Sequence, residues 1–345
     1  MKPASNLDLL RSIAVLLVVV EHILLAMHLR WIGAWDISWL GVVGVFMFFV
    51  HTSLVLMWSL DRKPEIVDFY IRRIFRIYPL AITAILVIVL FHVPTMQNIG
   101  GDTYFKAPKT MNLISNLFLV QNMCWPGDIL GVMWTLPLEL QMYYLLPFLF
   151  FFVRRNPVLW PMILLWFGTA LYDRVNFGIN DNTFVVCVPY FLSGVIAYIL
   201  FSKVKPRLPA FLMPLLIAVL LCCFMFRPSW RNGWWLTLTL GLALPFFRPL
   251  RAKWVIQAAH HIAKYSYGIY LAHPFCIAIG VNLLHGYNIF VRMGAILISL
   301  AVIVIPAYHF LERPMIDFGA KIAARFSAEH AKAAAAVSSR IFPAQ

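Results

Sequence analysis

The first residues able to do chemistry are Arg11, Glu21 and His22, all in one apolar run, LLRSIAVLLVVVEHILLAMHL. Lipid makes a buried ionisable group expensive, so an intramembrane imidazole or carboxylate marks a functional site by default. On a helix, Arg11 and His22 are separated by about three turns and roughly 16 Å of rise, which returns them to nearly one face. A guanidinium at a membrane surface and an imidazole near the midplane would line one track. Glu21 points about 80° away from the direction of Arg11, and adjacency alone does not pair it with His22. An imidazole near pH 7 suits proton abstraction, and a guanidinium suits anion binding.

Four more constellations follow. FYIRRIFRIYP carries Arg72, Arg73 and Arg76; Arg73 and Arg76 are i, i+3 neighbours, and all three are arginines, whose forks match phosphate oxygens bidentately. Pro79 follows at once and sets the expected start of that helix at about residue 77. VMWTLPLELQMYY holds Glu139, with Glu21 the only acidic residue expected inside a span; Trp134 and Tyr143 fall on its side of the helix. KYSYGIYLAHP sets Ser266, Tyr270 and His273 at i, i+4, i+7, a polar stripe on one face. HFLERPM closes the last span with Glu312 and Arg313 before Pro314. His51, in FFVHTS, is one more intramembrane imidazole. Each has a plain alternative: a positive-inside anchor for the arginines, helix–helix glue for Glu139, packing for the histidines.

The elements that position these residues are membrane helices. Hydrophobic residues make up 62% of the 345-residue chain, charged residues 12%, and mean hydropathy is +0.82; a soluble domain carries about 25% charged residues. Ten apolar runs are long enough to span, near 9–29, 39–60, 77–93, 133–153, 157–173, 183–202, 208–226, 233–248, 266–285 and 289–310. The first lacks a small-residue cleavage site and reads as a retained helix, not a signal peptide. The expected fold is an all-α polytopic bundle: a membrane domain over 1–315 and a cytoplasmic tail over 316–345, Ala-rich and solvated or lying on the surface.

Placing the N-terminus inside puts twenty basic residues on the inner side and seven on the outer, so both termini are expected in the cytoplasm. The net charge of +14 is therefore a topology signal; nucleic-acid binding needs a soluble basic module, which this chain does not offer. The five cysteines show no metal-ligand spacing, so no metal site is expected; Cys124 lies in an outer loop, where a disulfide is compatible with the topology. That connection, about 94–132, is the longest, and its stretch LISNLFLV is too short to span and suits a re-entrant or interfacial helix.

In this order and register, the runs NLDLLRSIAVLLVVVEH, GVVGVFMFFVHTSLVL, FYIRRIFRIYPL, MWTLPLELQMYYLLP, YSYGIYLAHP and FLERP resemble the bacterial membrane acyltransferase family called acyltransferase family 3. The resemblance covers nearly the whole membrane domain. It implies an O-acyltransferase of the bacterial inner membrane. Members move acyl groups, usually acetyl from acetyl-CoA, to hydroxyls of cell-envelope glycans, lipids or exported small molecules. The family's intramembrane His corresponds to His22, its first-helix Arg to Arg11, its paired arginines to Arg73 and Arg76, and its late Glu-x-Pro to Glu312–Pro314. The chain departs from the pattern at His51-Thr52-Ser53, where members commonly have Ser-Gly, and at Glu21, where many have a neutral or aromatic residue.

The residues and the resemblance converge on one scheme. Arg11, Arg72, Arg73 and Arg76, with Glu312 nearby, face cytoplasmic acyl-CoA; His22 is the general base, with Glu139 and Arg11 as catalytic partners. Ser266, Tyr270 and His273 are candidates for the acceptor or the oxyanion. No GxSxG elbow is present, which suits direct transfer or a transient acyl-histidine. The competing class is a polytopic transporter of a small solute or glycolipid, which would show repeat symmetry and paired broken helices; neither is evident in the sequence.

Overall fold

A computed structural model describes residues 4–96, 103–124, 127–155, 157–175 and 184–341. Twelve α-helices carry them: α1 Ala4–Ala26, α2 Leu40–Arg62, α3 Ile66–Leu90, α4 Thr110–Leu117, α5 Thr135–Arg155, α6 Trp160–Val175, α7 Phe184–Lys203, α8 Leu212–Met225, α9 Trp230–Ala243, α10 Lys253–Ile277, α11 Ile289–Pro306 and α12 Arg313–Ile341. Two short hairpins, Trp31–Ile32 with Trp35–Asp36 and Thr95–Met96 with Thr103–Tyr104, complete the connections. The all-α membrane class read from composition is the one observed.

Each of the ten apolar runs is helical. Among the described residues, seven helical stretches are long and apolar enough to cross a bilayer: Ser5–Ala26, Ile37–Arg62, Ile66–Leu90, Gly131–Arg155, Phe184–Lys203, Lys253–Leu283 and Ile289–Glu329. The other three runs form shorter helices of 16, 14 and 14 residues. Fourteen residues rise only about 21 Å, short of the roughly 30 Å hydrocarbon core. Prolines trim them: Pro209 precedes α8, and α9 begins after Pro228, with the Ser229 hydroxyl accepting from the Asn232 amide, and ends before Pro245.

Three boundaries differ from the sequence expectation. Helix α3 starts at Ile66, not near 77, so the arginines sit well inside the helix and Pro79 is an interior proline. Helix α10 starts at Lys253, not near 266. Both carry a charged amphipathic extension that a hydropathy window discards. At the other end, α11 passes through a π-helical turn, Ala307–Glu312, into α12 without a break. Helix α12 is no solvated appendage along its described side chains. It packs on α3, with Phe318 edge-on to Phe75 at 5.5 Å, Gly319 against Phe75 and Ala323 fully buried. In LISNLFLV, α4 forms a short helix whose Asn116 ties the connection between α3 and α5 together, accepting from the Ile129 amide and donating to the Gly127 carbonyl.

The core is built around α2, which packs on α1, α5, α7 and α9. Phe46, Leu54, Leu56, Met57 and Leu60 are fully enclosed, and Phe46 stacks on Tyr190 at 4.2 Å. Small residues let the backbones approach, as expected where lipid supplies no hydrophobic drive between helices. Gly41 and Gly44 of α2 lie on α1, and Gly194 of α7 lies on the α2 backbone at Val50. The result is an α1–α2 and α1–α10 seam carrying Arg11, Glu21, His22, His51, Ser266, Tyr270 and His273.

Candidate active site

A cavity of about 620 Å³ opens among α1, α2, α3, α5 and α10. Its wall includes Arg11, Arg76, Glu139, Tyr143, Ser266 and Tyr270, backed by Phe48, Phe49 and Thr52. Its lining has the pattern of a ligand pocket, apolar with a few convergent polar groups. Five of the residues marked from sequence, contributed by four helices, therefore meet in one place.

Arg11 is held by α10: its Nε donates to Ser266 Oγ at 2.5 Å, and Ser266 in turn donates to the Ala263 carbonyl at 2.8 Å. The charge of Arg11 lies in the field of Arg76, Glu139 and Glu312. Glu139 accepts from Tyr143 one turn later, at 2.5 Å. Glu312 is 2% exposed, with both carboxylate oxygens buried and without a hydrogen-bond partner among the described residues; Arg76 and Arg11 are its charged neighbours. Arg73 sits behind the Tyr143–Glu139 pair, its Nε buried and without a hydrogen-bond partner among the described residues. The three arginines thus divide. Arg76 lines the cavity, Arg73 backs it, and Arg72 turns to Asp68, donating from Nε at 2.7 Å. Asp68 stands four residues before Arg72, a spacing that announces the pair in the sequence; Lys63 donates to the same carboxylate at 2.6 Å.

At the far end of the cavity the Tyr270 hydroxyl donates to the Val132 carbonyl at 2.7 Å and meets Thr135 Oγ1 at 3.0 Å. His22 is not on the cavity wall. It lies one α10 turn further on, edge-on to His273 with ring centroids 4.9 Å apart, and the His273 ring is 6.1 Å from that of Tyr270. The expected track from Arg11 to His22 is therefore interrupted: the cavity reaches Arg11 and Tyr270, and His22 lies beyond it, next to His273. His273 Nδ1 faces the Ile269 carbonyl at 3.1 Å, while Nε2 is buried and unpartnered among the described residues. His51 is buried near the charges of Arg11 and Arg76 without joining the wall.

Adjacency alone does not pair Glu21 with His22, but the fold does: Glu21 Oε2 is 2.9 Å from His22 Nδ1. Two methylenes let the carboxylate swing back along α1, and Gly41, with no side chain, leaves the space it occupies.

Sequence reasoning also missed Asp128, in the outer loop. Gln121 Nε2 donates to it at 3.0 Å, and burial pushes its carboxyl up to about 6. Its charge also acts on Tyr270. No motif surrounds it, so only tertiary placement reveals it. Among the described residues no group of three or more His, Cys, Asp or Glu could hold a metal ion, and all five cysteines, Cys124 included, are free.

Comparison with known proteins bears on the same architecture. No solved structure matches the chain. The peptidoglycan O-acetyltransferase OatA of Listeria monocytogenes is 25% identical over 79% of this chain, and the acyltransferase MdmB of Streptomyces mycarofaciens is 30% identical over 46% of it. The aligned parts are 49% and 37% of those two relatives, so the chain spans about half the length of one and a little over a third of the other. The model of the acyltransferase domain family matches residues 5–309, from the first turn of α1 to the π-turn after α11 and so across the whole cavity. The chain belongs to this family, acyltransferase family 3.

Proposed function

We propose that the protein is a membrane O-acyltransferase that moves an acetyl group from cytoplasmic acetyl-CoA to a hydroxyl of a cell-envelope glycan, lipid-linked sugar or exported small molecule. The observation that carries this is the cavity. It gathers a guanidinium pair, Arg11 and Arg76, at one end and Tyr270 at the other, with the His22–His273 pair just beyond. The relative named for O-acetylating peptidoglycan favours a glycan acceptor.

In this scheme the chain crosses the bacterial inner membrane ten times with both termini in the cytoplasm. Residues 1–315 form the catalytic unit, and 316–345 lie on the cytoplasmic side. Arg76, Arg73 and Arg11 hold the donor's phosphates as fork donors, with Arg72 and Glu312 fixing the surrounding charge. The thioester reaches toward Tyr270. The acceptor enters from the outer face, past the 94–132 connection. His22 Nε2 takes the hydroxyl proton; the oxygen attacks the thioester carbonyl, the C–S bond breaks, and the thiolate leaves with the proton returned from His22. Glu139 holds Arg11 and Arg76 in place through its charge, while Ser266, Tyr270 and His273 line the route. Polarised hydroxyl and imidazole N–H groups are the available donors to the oxyanion.

The test uses sealed vesicles of known orientation, acetyl-labelled acetyl-CoA and envelope glycan fragments. Label should become covalent on the glycan at the outer face, with free CoA left inside, and His22→Ala should lower the rate by about 10²–10⁴-fold while inserting normally. Movement of an unmodified solute without thioester cleavage would mean a transporter. Normal turnover in His22→Ala would remove His22 from the role of base.

A further inference from the structure

Glu21 is a buried acidic group that the transfer scheme leaves without a task. It is 1% exposed, its Oε2 lies 2.9 Å from His22 Nδ1, and its Oε1 is buried without a hydrogen-bond partner among the described residues. A carboxyl in such surroundings is costly to keep. Its seat is shaped for it: a Cβ on Gly41 would stand 2.2 Å from Oε2, so glycine at that turn of α2 is what leaves room for the carboxylate.

His22 Nδ1 also lies 2.8 Å from the Val18 carbonyl. A carbonyl can only accept, so Nδ1 carries the proton and Nε2 is the basic nitrogen. The other titratable groups facing this pair are His273 and Tyr270 on α10, with Asp36, ahead of α2, acting on Glu21 through space. Among the described residues, His22 therefore meets one acid at contact distance and a neutral-capable ring edge-on, with no cation given as acting on its ring.

We propose that Glu21 is a positioning residue for His22, orienting the ring through Nδ1 and compensating the positive charge that forms when Nε2 takes the acceptor's proton. This rests on the reading of His22 as the base. As the O–C bond forms and the C–S bond breaks, the Nδ1–H···Oε2 contact becomes a charge-assisted hydrogen bond, and it relaxes when the proton passes from Nε2 to the leaving thiolate. The arrangement follows the logic of a base oriented by a third group.

Two independent perturbations test it. Glu21→Gln keeps the shape and an acceptor oxygen but removes the charge. Gly41→Ala places a methyl where the carboxylate sits and leaves Glu21 itself intact. Each should lower kcat by about 10- to 100-fold, leave KM for acetyl-CoA unchanged, and move the acidic limb of the pH–rate profile to lower pH, because the anion that stabilises the imidazolium is lost or displaced. Glu21→Asp, which keeps the charge, should recover part of both effects. A role in packing alone would move neither the pH limb nor its recovery by Asp. An unchanged profile in Glu21→Gln, with His22→Ala inactive, overturns the pairing and leaves the base in place; an active His22→Ala overturns the base itself. Should Glu21→Gln fail to insert, Gly41→Ala decides, and a wild-type profile there overturns the proposal.

Discussion

Gly44→Ala offers a direct test of whether the α1–α2 seam sets the catalytic geometry. A Cβ at Gly44 would lie 2.5 Å from the Ala14 carbonyl oxygen and 3.0 Å from Val18 Cγ2. Ordinary contact begins at 3.4 Å, so α1 and α2 must part by about 0.9 Å, the difference between 3.4 and 2.5. The contact is with backbone, which has no rotamer to retreat into. Ala14 lies one turn above Arg11, and Val18 one turn below His22, so the wedge falls between the two. Helix α1 is also fastened to α10, through Arg11 to Ser266 and through Ser12 Oγ to the Ala259 carbonyl at 2.8 Å, so the shift is passed to the cavity wall. Overpacking of this kind costs about 1–3 kcal/mol, and a misplacement near 1 Å costs about 10²-fold in rate. The assay is kcat for label transfer in nanodiscs alongside thermal unfolding of the same samples. Gly168→Ala on α6 is the control: nothing lies within 4 Å of its Cβ position, so it should keep full activity and gain about 0.5–1 kcal/mol of helix stability. A Gly44→Ala protein with wild-type kcat and Tm would refute the claim that this seam positions the site.

Two further outcomes are expected. Ser266→Ala removes the acceptor for Arg11 Nε; a hydrogen bond to a charged group contributes about 1.5–3 kcal/mol, so KM for acetyl-CoA should rise about 10-fold or more with a smaller change in kcat, and an unchanged KM would show that Arg11 needs no anchor. Asp128, raised to about 6 by burial, destabilises the folded protein as pH rises from its unfolded value of 3.8 through 6. Asp128→Asn, which keeps an oxygen for Gln121, should therefore unfold at a higher temperature than wild type at pH 8 and at the same temperature near pH 4; equal Tm values at pH 8 would sink this.

The membrane class, the helical character of every apolar run and five cavity residues were legible in the sequence, because lipid makes each intramembrane polar group conspicuous. What escaped was what depends on neighbours in space. Hydropathy stopped at the charged turns before Ile77 and so missed the first eleven residues of α3. Shared residue type grouped Arg72 with Arg73 and Arg76, although Asp68, one turn earlier on the same helix, takes it away. Helical spacing put Arg11 and His22 on one track, but only Arg11 lines the cavity, while His22 lies beside His273. Adjacency alone did not pair Glu21 with His22, and only the glycine on the facing helix permits the contact.

The continuous helix from α11 into α12 has a consequence for anyone who would shorten or extend this chain. Helix α12 runs antiparallel along the first turns of α3, closed at its far end by Ser327, which bonds Glu65 and receives Lys63 Nζ at 2.9 Å. The segment that bears the arginines is thus splinted by the C-terminal helix. Cutting the chain after residue 316 would strip Phe318 and Gly319 from the face of Phe75 and uncover that side of α3. A domain fused beyond Ile341 would hang from a 29-residue rod about 43 Å long, not from a tether. Its direction would be dictated, and any torque upon it would be felt at Arg73 and Arg76.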